Sequence, residues 1–235
     1  MAEKTALIVG AGAGLSAALA RKCAARGIHV ALAARNTDKL GPLAAETQAS
    51  LHVCDASDPE AVAALFAELD GQGRDLELVV YNPSYRQRAP FVELDAEEVR
   101  KTLMITCYGG FLVGQEAAKR MLASGPGKAR GSILFTGASA SVKGYKLSAP
   151  FAMGKFGLRG LAQSMARELA PQNIHVAHFV IDGGIGKEDD PRAEARGEDG
   201  MLDPEAIAET YLHVHDQHRS AWTWEIELRP WVETF

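Results

Sequence analysis

Short runs of β-branched and aliphatic residues alternate along the chain with longer Ala-rich stretches whose apolar positions recur every three or four residues. The strand candidates are residues 5–10, 28–34, 51–54, 76–82, 131–137, 174–180 and 223–228. Helical segments lie between them, among them 58–70, 95–123 and 152–170. In the last, Leu158, Leu161, Ala162, Met165, Ala166 and Leu169 fall at helical spacing. Strand, helix, strand in repetition predicts a parallel seven-stranded sheet covered by helices on both faces. Right-handed crossovers make that α/β arrangement doubly wound, with ligands bound at the carboxyl ends of the strands. No Pro/Gly linker and no repeat divides the chain, so residues 1–235 read as one domain. The polar, Gly-rich stretch 183–204 follows a strand and is expected to act as a lid.

Composition narrows the class. A chain of 235 residues, 47% hydrophobic, can bury a core without disulfides or metals. Only 7% of residues are aromatic, while Gly and Ala abound, which suits close helix–sheet packing better than an all-β sandwich. A net charge of −5 argues against a nucleic-acid partner. No apolar run approaches the roughly 18 residues of a membrane helix, and the first residues lack a secretory signal, so a cytoplasmic protein is expected. Cys23, Cys54 and Cys107 are scattered and suggest neither disulfides nor zinc. His175 and His178, three apart on a strand, point to opposite faces. His213, His215 and His218 fall on a predicted helix where only the last two share a face, so no metal site is expected. The tryptophans of the tail, Trp222, Trp224 and Trp231, read as packing or subunit contact.

The first strand runs into Gly10-Ala11-Gly12-Ala13-Gly14-Leu15-Ser16 and then a helix. Glycines there permit a tight turn and unobstructed N–H groups at the positive end of a helix dipole, which is what a phosphate requires. An ordinary tight turn is the alternative. The second strand ends in Arg35 and no carboxylate, a choice that favours the 2′-phosphate of NADP over the ribose hydroxyl of NAD. A surface arginine is the alternative there, and NAD(H) stays possible.

With these residues, Cys54-Asp55 after the third strand, Asn82 after the fourth and Lys155 on a late helix, the chain resembles the short-chain dehydrogenase/reductase family over about residues 4–228. The resemblance implies a Rossmann-like fold and a homodimer or homotetramer. It also implies a cofactor held by Gly10, Gly12, Gly14, Leu15, Asp55, Ala56, Asn82 and Lys155. Asp55 would meet adenine and Lys155 the nicotinamide ribose. The family's third turn glycine is Ser16 here, which is expected to loosen helix–sheet packing.

The family's chemistry is hydride exchange between a nicotinamide and a carbonyl or alcohol, assisted by a Tyr four residues before the Lys, a Ser thirteen before the Tyr, and an Asn. Those positions hold Phe151, Ala138 and Thr106 in this sequence. A phenyl ring has no proton to give, and a general acid is typically worth ~10²–10⁴ in rate. Candidate substitutes are Ser139, beside Ala138, Tyr85, after the Asn82 loop, and Tyr145. Two readings follow: an NADP(H)-dependent oxidoreductase with an altered active site and an unknown small-molecule substrate, or a nucleotide-binding sensor or assembly protein without turnover.

Overall fold

The computed structural model describes residues 3–123, 131–187 and 190–233. Seven strands form one parallel sheet: β1 (Lys4–Val9), β2 (His29–Ala34), β3 (Ser50–Val53), β4 (Asp75–Tyr81), β5 (Ser132–Thr136), β6 (His175–Ile181) and β7 (Glu225–Leu228), in the order β3-β2-β1-β4-β5-β6-β7. The helices are α1 (Leu15–Ala25), α2 (Gly41–Thr47), α3 (Pro59–Gly71), α4 (Ala96–Leu103), α5 (Gly109–Ala123), α6 (Ala149–Leu169), α7 (Pro191–Arg196) and α8 (Pro204–His215). The chain winds outward from β1 to β3, then returns to lay β4 beside β1, so the switch point lies between those two strands.

The central strands are buried on both faces, and the alternation of their residues sorts them into two cores. Ala6, Ile8, Leu32, Val80 and Phe179 pack with α1 and α8. Leu7, Val9, Ala33, Val79 and Phe135 pack with α3, α5 and α6. The small residues that fill α1 (Ala17, Ala18, Ala20) let it approach the sheet closely. No helix among the described residues is long and apolar enough to cross a membrane.

Two expectations change, and a third segment gains detail. The 95–123 segment is not one regular helix: Met104–Tyr108 forms a π turn between α4 and α5. The Tyr81 hydroxyl donates to Ile105 O there, and a Cβ at Gly109 or Gly110 would overlap Tyr81 or Leu158. Close approach of the helix to β4 and α6, together with a phenol inserted at its carbonyls, explains the irregularity.

The 183–204 stretch carries more order than a bare loop. Ile185 bridges Leu202, α7 lies inside it, and Arg192 binds both the Asp190 carboxylate and Ile185 O. Arg192 holds the Asp190 carboxyl well below the usual carboxylate range. Glu188 and Asp189 lie outside the described residues.

Finally, α8 stops at His215, so His218 is not on that helix with His213 and His215. His218 instead begins the next turn, its side chain accepting from Ser220 N. His175 and His178 do face opposite sides. His175 stacks on Trp222 at 4.7 Å, while His178 Nδ1 meets Glu225 Oε2 at 3.1 Å.

Candidate active site

Depressions flank the carboxyl ends of β1, β4, β5 and β6, two beside the turn after β1 and another against α6, and that turn organises the first pair. Gly10 takes φ +79°, and a Cβ there would stand 2.7 Å from Pro83 N, so glycine lets the turn lie against the loop after β4. Gly12 and Gly14 face open space. Helix α1 starts with no side-chain cap and no acid in its first turn. Its entrance presents N–H groups and partial positive charge with no side-chain cap among the described residues competing for them, which fits a phosphate. Leu15 is buried at 3% exposure, so only its main chain reaches this entrance.

Ser16 is 1% exposed. Its hydroxyl donates to Gly10 O at 3.2 Å and accepts from Asn82 Nδ2 at 2.9 Å. Serine therefore ties the turn to the β4 loop, and the loosening expected from the missing glycine does not occur. It is small enough to fit and its polar atom is bonded.

A groove of about 630 Å³ beside the turn brings together Arg35, Asp55, Ala56 and Asn82 with Gly10 and Ile105. Burial opposes ionisation of Asp55, but the Ser57 hydroxyl and N–H, at 2.7 and 2.9 Å, and the Arg35 charge outweigh it. The Asp55 carboxyl is held below its ordinary value. Arg35 is exposed at the rim. On the other side of the turn, a cleft of about 1040 Å³ runs between Gly12–Gly14 and Gly186, Lys187, Met201 and Leu202 of the 183–204 segment.

The depression against α6, about 290 Å³, is lined by Asn82, Ser84, Arg86, Ser139, Tyr145, Ser148, Phe151 and Lys155, among others. Lys155 is 2% exposed on α6 and donates from Nζ to Thr136 O at 2.7 Å. Burial lowers its pKa to about 8. Phe151 stands one turn earlier, its ring centroid 5.2 Å from Arg86 Cζ and 5.9 Å from Lys155 Nζ. Two cations thus converge on a side chain with no hydroxyl. Beneath Lys155, the fully buried His178 is kept neutral: burial lowers its pKa to about 4 against the pull of Glu225. Arg159 holds Glu225 by two bonds, at 2.6 and 2.8 Å.

Tyr85 does not join this cavity. Its hydroxyl donates to Glu98 Oε2 at 2.6 Å and Lys101 Nζ sits 4.5 Å from its ring centroid, so the side chain is committed to α4. The phenol that does line the cavity belongs to Tyr145, with Ser139 also in the wall. Thr106, in the π turn, is buried and packs against Gly154. Its Oγ1 accepts from Tyr85 N at 3.4 Å and anchors the β4 loop. Arg86 and Ser148 escape sequence reasoning, as does the place of His178 near Lys155. Loop path and cross-strand burial place them, and no local pattern signals either.

Comparison with known proteins gives a consistent picture. A family model described as short chain dehydrogenase matches residues 4–186. The trans-4-hydroxycyclohexanecarboxylate dehydrogenase of Sinomonas cyclohexanicum is 32% identical over 188 residues, covering 75% of this chain and 70% of that protein. The 3-oxoacyl-(acyl-carrier-protein) reductase FabG of Rickettsia bellii is 27% identical over 232 residues, 94% of this chain and 92% of that one. A short-chain dehydrogenase structure from Rhodopseudomonas palustris superposes with TM-score 0.82 at 38% identity, covering 97% of this chain and 99% of the other. A metagenomic short-chain oxidoreductase solved in complex with NADP shares the fold, with TM-score 0.83, 24% identity and 98% of each chain covered.

Proposed function

The chain belongs to the short-chain dehydrogenase/reductase family, and from that premise we propose that it is an NADP(H)-dependent oxidoreductase reducing a small carbonyl compound. The observation that carries the reading is the alignment, along one edge of the sheet, of an uncapped phosphate-sized helix entrance, the Asp55 groove and the buried Lys155. Arg35, at the rim of that groove with no carboxylate ending β2, supports NADP(H) over NAD(H). When bound, the nicotinamide supplies the hydride.

The protein's part is electrostatic. Lys155 keeps a positive charge at the cavity floor, where the carbonyl oxygen gains negative charge. With its pKa near 8, it also yields a proton more readily than an ordinary lysine. Phe151 excludes water from one wall and donates nothing. Ser139 and Tyr145 supply the hydroxyls available in the cavity, and solvent supplies the proton. A homo-oligomer is supported by exposed apolar side chains near and on α5 and α6: Tyr108 and Phe111, stacked at 6.1 Å, with Met153 and Phe156.

Titration calorimetry with NADPH and NADH, repeated on Arg35→Ala, tests the cofactor reading. NADPH should bind and lose about tenfold in affinity in the variant, with NADH unaffected, the loss expected for one hydrogen bond to a charged group. If neither nucleotide binds at millimolar concentration, the proposal fails. Binding without oxidation of NADPH across a carbonyl panel assigns the chain instead to the nucleotide-binding proteins that do not turn over.

A further inference from the structure

The cavity against α6 has an unusual charge balance for this protein. The chain carries 30 acidic against 25 basic residues, yet among the described residues the wall of the cavity contains Arg86 and Lys155 and no carboxylate. Lys155 is partly satisfied by Thr136 O. Arg86 Cζ lies 5.2 Å from the centroid of the Phe151 ring, a cation–π contact that occupies none of the guanidinium's five N–H groups in a hydrogen bond. No ion pair joins Arg86 to a carboxylate among the described residues.

The residues around Arg86 are held. Tyr85 before it is bonded through its hydroxyl to Glu98 and through its N–H to Thr106. Ala89 after it donates to Leu147 O at 3.2 Å, fastening the loop to the wall that carries Tyr145 and Ser148. Arg86 is exposed, but its loop is anchored on both sides and its guanidinium lies beside an aromatic ring, at the mouth of a cavity with no carboxylate among the described residues, a setting that suits a planar anion.

Resting on the hydride-transfer reading above, we propose that Arg86 is the specificity residue of this site and that its substrates are small oxo acids. The substrate carboxylate pairs with Arg86 while its carbonyl lies toward Lys155. The carbonyl carbon takes the hydride and its oxygen takes a proton from solvent, giving a hydroxy acid; the carboxylate is held and unchanged. Phe151 then acts as the platform that sets the guanidinium, which is a use for the residue that the absent phenol leaves unexplained. The cavity of about 290 Å³ admits a short aliphatic or single-ring acid.

The test measures binding and NADPH oxidation with pyruvate, acetoacetate and benzoylformate, each against its methyl ester, on the NADPH-loaded protein and on Arg86→Gln and Arg86→Lys. At least one acid should bind at least tenfold more tightly than its ester. Arg86→Gln should erase that preference, losing roughly ten- to a hundredfold for the acid and little for the ester. Arg86→Lys should restore part of it, since a point charge keeps attraction without the bidentate fork. Equal affinity for acid and ester, failure of every acid at millimolar concentration, or an unchanged preference in Arg86→Gln overturns the assignment. So does a variant whose NADPH affinity, and not its acid preference, collapses, because Arg86 would then serve the cofactor. Failure of the unaltered protein to bind NADPH counts against the parent reading and is seen separately in the same titration.

Discussion

Replacing Lys155 by Met should stabilise the folded chain at neutral pH and weaken the site. The ammonium is 2% exposed and, among the described residues, has a single hydrogen bond, to Thr136 O, with no carboxylate paired to it. Burial lowers its pKa from 10.5 to about 8, a difference equivalent to about 3 kcal/mol against the charged form. Methionine has similar reach and no charge, so it removes that penalty. Thr136 O then loses one donor, at a cost of about 1 kcal/mol. A net gain of about 2 kcal/mol at pH 7 is the expectation.

The sign of the pH dependence follows from a folded-state value below the unfolded one. Under about pH 8 the lysine is protonated in both states and the whole penalty is present. Between about pH 8 and 10.5 the folded form sheds its proton first, the unfolded form binds more protons, and the unaltered protein gains stability as pH rises. Urea denaturation of both proteins from pH 7 to pH 10 reads the difference directly. The variant's advantage should be largest near neutrality and shrink through that window, while calorimetry shows weakened NADPH binding. A variant less stable than the parent at pH 7, or an advantage that does not change with pH, would refute the reasoning.

Phe151→Tyr places a hydroxyl among Ser139, Lys155 and Arg86; initial rates of NADPH oxidation with a carbonyl substrate should rise about a hundredfold, the lower end of a general acid's contribution. No rise means that these groups do not frame the hydroxyl. Ser16→Ala cuts the links to Gly10 O and Asn82, so stability should fall by about 1 kcal/mol in urea denaturation and NADPH affinity several-fold in calorimetry. An unaltered affinity would show that the turn holds its shape without the serine.

The repeating strand and helix periods determined the seven-stranded order of events along this chain, because burial on two faces demands apolar strands and each crossover demands an amphipathic helix. The Gly10–Gly14 turn was legible because a glycine-rich strand-to-helix turn is a local feature, whereas Lys155 was singled out by the family resemblance and its burial against Thr136 O came from the fold. What local pattern could not reveal was the fate of groups whose surroundings come from distant segments. The π turn at Met104–Tyr108 depends on Tyr81 and Leu158. Tyr85 was drawn away from the cavity by Glu98, thirteen residues on, and Ser16 became a tether only because Asn82 lies across the switch point. Arg86 acquired its place over Phe151 through a loop pinned to α4 and to the segment before α6. A loop's path is set by the long-range contacts that close it, so side-chain direction there is decided only when the whole sheet is assembled.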